Sequence, residues 1–323
     1  EVHTTSDLKY NLAHLISAVT IPQFDAAERQ WSKVATVRTV SDFGPVRLMS
    51  AFGELTGAGV HAKGGLPTVP EGAPYPYVSV TGQEAFYAKL AKAGAKFGFT
   101  WESNVNDIVG FFENVPNELV QLALDPEERE VFEALVGGTT AALAAQTLPD
   151  GTATLPNAVI SPEAIWAAII QLQNVTVNGR KVGQATGYNV VVPRGTSPYI
   201  EWQLNRQIIS IQDGDVTFAP SDTSALNNIS IVESDEVTGL QWIVLPKPGA
   251  IRRPVLELMR LRGYETPELR VHGDTGNYVG GSAVSPFEGN FDNDTIDYRV
   301  RYVAGGVLWS NAFSLKSAGT GVV

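Results

Sequence analysis

Residues 297–309 read DYRVRYVAGGVLW, and their polarity alternates. Tyr298, Val300 and Tyr302 fall on one face of an extended segment and Asp297, Arg299 and Arg301 on the other, because strand side chains point to opposite faces in turn. Gly305 and Gly306 then interrupt the pattern before Val307, Leu308 and Trp309, which predicts a strand, a glycine break and a second strand. The same alternation marks VATVRTV at 34–40 and YVSV at 77–80, and it sets Ala95, Phe97, Phe99 and Trp101 against Lys96, Gly98 and Thr100. Residues 83–93 fit a short helix or a strand. Further short strands are predicted at NVTV (174–177), YNVVV (188–192), QIISI (207–211), NISIV (228–232), LQWIVL (240–245) and PVLELMRL (254–261).

The period changes to three and four after Trp101. Ser103 can cap a helix carrying Val105, Ile108, Val109, Phe112 and Val115, which Pro116 interrupts; Leu119, Leu122, Leu124, Val131, Phe132 and Leu135 continue it. Asp125-Pro126-Glu127-Glu128 reads as a second helix start, and Gly137-Gly138 as the end, so a long, broken helix is expected over 103–136. Ser161-Pro162-Glu163-Ala164 opens another helix, with Ile165, Ala168, Ile169 and Leu172 as its apolar stripe. Near the N-terminus a short helix fits 7–18, and residues 1–50 as a whole read as an arm more than a core. Residues 51–76 are dominated by glycine and proline, cannot build their own core, and read as a long excursion loop. The fold class is α+β with mostly antiparallel sheet, and no fixed-period repeat is visible.

Composition narrows the function. At 323 residues, 44% hydrophobic and 18% charged, the chain is an ordinary globular protein long enough for two lobes. Its longest apolar runs, AALAAQTL and IWAAIIQL, fall short of the roughly eighteen residues a membrane span needs. The absence of cysteine rules out disulfides, thiolate catalysis and cysteine-ligated metal, and fits a cytoplasmic origin. With 34 acidic against 23 basic residues the net charge is −11, the opposite of a phosphate-gripping footprint, so sequence-specific DNA binding is not expected. The arginines gather towards the C-terminus, at Arg252, Arg253, Arg260, Arg262, Arg270, Arg299 and Arg301, where ion pairing with nearby acids or a local polyanion-facing patch are the two readings. Only Met49 and Met259 occur, so Glu1 is not an initiator and a trimmed or processed N-terminus is expected.

No active site emerges. His3, His14, His61 and His272 are scattered, with no pair at helical spacing for a metal. Asp213 and Asp215, and Asp292 and Asp294, lie in Gly/Asn-rich stretches without the ligand rhythm of a calcium loop, and read as turns. Ser6-x-x-Lys9 lacks the partner motifs of a serine nucleophile, and no nucleophile elbow, P-loop or dinucleotide fingerprint occurs. No enzyme activity and no cofactor or metal is expected. The sequons at Asn174, Asn228 and Asn293 matter only in a secretory pathway.

The order of parts carries more. AKFGFTWESNVNDIVGFFENVP (95–116), ISPEAIWAAIIQLQ with the later YNVVVPRG, and TIDYRVRYVAGGVLWSNAFSLKSAGTG together resemble the major capsid (head) proteins of tailed bacteriophages, with the Hong Kong 97-like fold, and within them the Mu-like major head subunit group. The resemblance implies a 1–50 arm, a 51–102 extended two-stranded loop, a 103–150 peripheral domain around a spine helix, a 151–255 axial α/β domain and a 256–323 return to the peripheral domain. It implies self-assembly through pentamers and hexamers into an icosahedral head enclosing double-stranded DNA held non-specifically. Expected partners are then a portal, a scaffold or maturation protease and a decoration protein; the protein is expected in the virion, assembled in the bacterial host cytoplasm, with no membrane role. Assembly contacts are expected from Lys63, Trp101, Glu102, Asp107, Arg299, Arg301, Trp309 and Asn311, with Lys63 and Asn311 as a possible covalent cross-link between neighbours. An encapsulin-type nanocompartment shell and an acidic metal-dependent hydrolase using the Asp-rich turns and His272 are the alternatives.

Overall fold

The computed structural model describes residues 29–48, 55–56, 69–75, 79–80, 86–100, 102, 111–149, 151, 153–177, 180–181, 185–204, 208–212, 215–219, 228–251, 254–272, 279–281 and 290–321. The helix expected at 7–18, the Ser6-x-x-Lys9 motif and His3, His14 and His61 lie outside them. Among the described residues there are seventeen strands: β1 Thr36–Val40, β2 Val46–Leu48, β3 Leu55–Thr56, β4 Ser79–Val80, β5 Phe86–Ala88, β6 Ala91–Thr100, β7 Thr176–Val177, β8 Arg180–Lys181, β9 Tyr188–Pro193, β10 Ile208–Gln212, β11 Asp215–Ala219, β12 Ile229–Ser234, β13 Trp242–Pro246, β14 Leu256–Leu261, β15 Glu268–Val271, β16 Thr295–Leu308 and β17 Leu315–Ser317. Helices span Phe111–Gly138, Pro162–Gln173 and Ser197–Leu204, and 3-10 turns occupy Gln30–Lys33 and Asn311–Phe313.

The 14-residue β16 is the axis of the first lobe. It pairs along one edge with β6, and along the other first with β15 and then with β14, which β1 extends in parallel. Burial alternates along 295–302 as the sequence predicts, with Ile296, Tyr298, Val300 and Tyr302 buried and Asp297, Arg299 and Arg301 half-buried. The buried face packs on the long helix.

The expected break at Gly305-Gly306 is not there: β16 runs straight through, with Gly305 opposite Met259 and Gly306 opposite Leu258. The glycines serve close approach instead of a turn. A Cβ on Gly306 would lie 1.9 Å from the Glu130 carbonyl oxygen of the long helix, and one on Gly305 would lie 2.7 Å from the Lys89 carbonyl oxygen. Hydrophobic alternation carries no information about a backbone crossing from elsewhere in the chain.

The long helix expected to be broken is continuous instead, spanning Phe111–Gly138 with Pro116 and Pro126 inside it. A proline inside a helix forfeits a hydrogen bond to the residue four before it. Packing offsets that loss here, because Leu124, Val131, Phe132 and Leu135 are all buried beneath it. Fully burying one such side chain stabilises by roughly 1.5–3 kcal/mol, enough in sum to hold the helix across its prolines. Asp125-Pro126-Glu127-Glu128 is thus not a helix start; Glu127 points into the lobe and is fully buried.

The second lobe is a four-stranded sheet ordered β12-β9-β13-β17, with β9 and β12 parallel and the other pairs antiparallel. Both faces are covered, so β9 reads as the unbroken apolar run YNVVV. Val190, Val192, Trp242 and Val244 meet Ile165, Ala168 and Leu172 of the helix Pro162–Gln173. Val191, Ile243 and Leu245 on the opposite face join Trp31, Val34, Phe132 and Leu135 in the core that unites the two lobes. Residues 29–40, expected as part of an arm, therefore furnish both a strand and core side chains. The predicted cap is present: the Ala164 amide donates to Ser161 Oγ at 3.1 Å, with Pro162 in the first turn.

Candidate functional site

Three groups of charged side chains stand out, two buried and one on an open face. The first centres on Glu127. Arg260, on β14, donates to Glu127 Oε1 from Nε at 2.9 Å and from Nη2 at 2.6 Å, and the Tyr302 hydroxyl donates to the same oxygen. Trp31 Nε1 donates to Oε2 at 3.0 Å, and Arg29 Nε lies 3.5 Å from it. One carboxylate thereby ties the 29–33 segment, the long helix, β14 and β16. Burial, together with the negative charge and hydrogen bond of Glu127, pushes the Tyr302 phenol well above the ordinary tyrosine range. Next door, Glu128 accepts from the Gln30 amide at 2.7 Å and the Trp31 amide at 3.4 Å; burial raises its carboxyl, and the two amides offset part of that rise.

The second group centres on Glu257, also buried. Arg38 Nε lies 2.9 Å from its Oε2, Trp309 Nε1 donates to the same oxygen at 2.5 Å, and the Arg38 guanidinium sits 5.5 Å over the Trp309 ring. Sequence reasoning missed both carboxylates. A signal was present in LELMRL, where Glu257 and Arg260 interrupt an apolar strand: charges there need buried partners.

The third group lies on the face of β16 turned away from the long helix. Arg301 pairs with Glu268, and its guanidinium sits 5.5 Å over the Tyr264 ring. Arg270 pairs with the same Glu268. Partial desolvation works against it, yet hydrogen bonds from Arg270 and Arg301 hold the Glu268 carboxyl below the usual carboxylate range. Arg299 stands directly between Lys96 on β6 and Arg270 on β15.

The remaining candidates fall in different places. Glu102 is exposed. Trp309 is fully buried in its own subunit, against Met259, Val307 and Ala88. Asn311 is exposed, and its side-chain amide donates to Thr140 Oγ1 at 2.8 Å. Lys63, Trp101 and Asp107 lie outside the described residues, as do Arg252, Arg253 and Asp213. Asp292 and Asp294 sit in an exposed turn that the Asn290 side chain closes by accepting from the Asn293 amide at 2.8 Å. His272 is exposed, and no group of three or more potential metal ligands occurs among the described residues. No described helix is long and apolar enough to cross a membrane.

A family model described as phage capsid protein matches residues 83–314, most of the chain. The chain belongs to the phage capsid protein family. As a phage capsid protein it is a structural component of the virion. Among solved structures, this phage capsid protein is similar to the virus-like particle of Pyrococcus furiosus, at 11% identity and TM-score 0.50 over 93% of this chain and 97% of the other. It is also similar to the holo-SrpI encapsulin of Synechococcus elongatus PCC 7942, at 9% identity and TM-score 0.48 over 92% and 89% of the two chains. The capsid of Myoviridae phage XM1 is similar at 12% identity and TM-score 0.45, over 87% and 88%. Comparison with curated proteins finds no match.

Proposed function

We propose that the protein has the Hong Kong 97-like division of labour and assembles through pentamers and hexamers into a head that encloses double-stranded DNA. The observation that carries this reading is the nested pairing of residues 46–88: β2 pairs with β5, and inside them β3 pairs with β4, so the chain leaves the first lobe and returns beside itself. A ribbon of that kind, rich in Gly and Pro, has no core of its own and gains its stability by lying on something else, here an adjacent subunit.

In this reading residues 1–50 are an arm reaching a neighbour, anchored in its own subunit by Trp31 and β1. Residues 51–102 are the extended loop, 103–150 and 256–323 the peripheral domain, and 151–255 the axial domain whose loops meet around the symmetry axes. Lys63, Trp101, Glu102, Asp107 and Asn311 belong to contacts between subunits, with Lys63 and Asn311 as cross-linking partners. Arg299 presents charge at such contacts, while Arg301, paired with Glu268, and the buried Trp309 support them from within the subunit. Closed symmetry then multiplies many modest contacts into a rigid container. An acidic wall leaves packaged DNA untrapped. A portal, a scaffold, a maturation protease and a decoration protein complete the assembly in the host cytoplasm.

Negative-stain electron microscopy of the purified protein, with nuclease-protected nucleic acid assayed on the same fraction, tests this. Closed polyhedral shells holding DNA are expected. Shells holding protein cargo overturn it in favour of a nanocompartment, and discrete monomers or dimers under assembly conditions overturn it altogether.

A further inference from the structure

The open face of the β6–β16–β15 sheet carries three cations in one line. Lys96, Arg299 and Arg270 are directly opposite one another across the three strands, so their side chains project from the same face at successive strand spacings of about 4.8 Å. Like charges placed directly opposite in a sheet are destabilising. Among the described residues only one end of this row is neutralised: Arg270 shares Glu268 with Arg301. Among the described residues neither Lys96 nor Arg299 has an acid within ion-pair distance, and the buried Arg299 Nε has no hydrogen-bond partner. On the β6 side the row is flanked by Gly94, which has no side chain to cover it, by Lys92, which adds to the positive charge, and by Gly98, whose side-chain space the Asp297 carboxylate of β16 fills.

We propose that the row formed by Lys96, Arg299 and Arg270 receives carboxylates from a neighbouring copy of this chain in the assembled shell. This rests on the shell-forming reading above. Copies of the chain are the partner that fits by charge, since each carries 34 acidic residues and a net charge of −11, and symmetry presents the same acidic surface to every such row. Because the Arg299 Nε is itself buried, a planar carboxylate from another copy would meet the outer nitrogens of the guanidinium, beside the exposed Lys96. Duplex DNA asks for a wider positive footprint than one row set in an acidic chain. Arg301 is not part of the dock: Glu268 and the Tyr264 ring already occupy it.

The test compares K96E/R299E with wild type and R301A, each first checked for native circular dichroism and melting. For K96E/R299E, subunits remain folded and the yield of closed shells falls about tenfold or more. R301A lowers subunit melting more than shell yield. A second measurement on wild type stands if the double variant does not fold. Shells grown from mixed light- and heavy-nitrogen subunits are treated with a water-soluble carbodiimide, and mass spectrometry seeks a Lys96 amide to an Asp or Glu of the other isotope. Such a mixed link supports the dock. Lys96 that is unlinked in shells and acylated as fast as in free subunits overturns it. Variant shells that form normally overturn it too, in favour of DNA phosphate if they lose packaged DNA, and of simple protection of an exposed strand edge if they do not. Failure of wild type to form shells at all would instead strike the assembly reading itself.

Discussion

Arg260 and Glu127 meet inside the first lobe through two hydrogen bonds to one oxygen, from Nε at 2.9 Å and Nη2 at 2.6 Å, although 133 positions separate them in sequence. With Glu127 fully buried, removing the carboxylate takes away the acceptor shared by the Arg260 guanidinium and the Trp31 indole N–H, and leaves the Tyr302 phenol its longer hydrogen bond to the Glu265 carbonyl. Glu127→Ala is therefore expected to destabilise the subunit by about 3–5 kcal/mol, and Glu127→Gln by less. Urea denaturation of the unassembled subunit checks this; equal melting of the alanine variant and wild type would refute the role.

Gly306 meets the long helix so closely that even a methyl group must displace backbone. Gly306→Ala is expected to cost about 1–3 kcal/mol, as overpacking does. Gly263→Ala, where a Cβ meets no neighbour but the backbone has φ +79°, provides a control for conformational strain alone. The two melting temperatures, measured side by side, separate collision from strain.

Ser161 caps the helix Pro162–Gln173 by accepting from the Ala164 amide. Ser161→Ala removes that acceptor and is expected to lower stability by about 1 kcal/mol, with Ser161→Asp restoring it. Thermal unfolding of the three proteins decides.

Acid and alkaline limits follow from different groups. Glu268 is held below its ordinary range, so the folded state gains from its ionised form; that gain is present above about pH 4.5 and is lost as pH falls below it. Glu268→Gln should flatten this part of the stability curve. Burial pushes the Tyr298 phenol up to about 12, so the folded state holds its proton more tightly than the unfolded chain. The corresponding stability is complete below pH 10 and declines as pH rises towards 12. Denaturant midpoints across both ranges, with Tyr298→Phe as the comparison, test the two slopes.

Local pattern was enough to reveal much of this molecule. The alternation of DYRVRY assigned Tyr298, Val300 and Tyr302 to the buried face and Arg299 to the open one, because a strand's two faces are written directly into its residue order. Ser161-Pro162 announced its helix, because capping is satisfied within a few residues. The order of the parts and the segments 95–116, 160–173 and 295–321 carry the resemblance to the capsid family within the sequence itself.

What remained hidden were relationships between distant segments. Gly305-Gly306 looked like a turn until the helix crossing above it supplied the reason for two missing side chains. Pro126 and Glu127 looked like a helix start until Arg260, Tyr302 and Trp31 arrived around the carboxylate. Lys96, Arg299 and Arg270 became a single row only when three strands fell into register. Short-range order settles which face a residue takes, whereas close approach, buried charge pairing and cross-strand alignment depend on where the rest of the chain comes to lie.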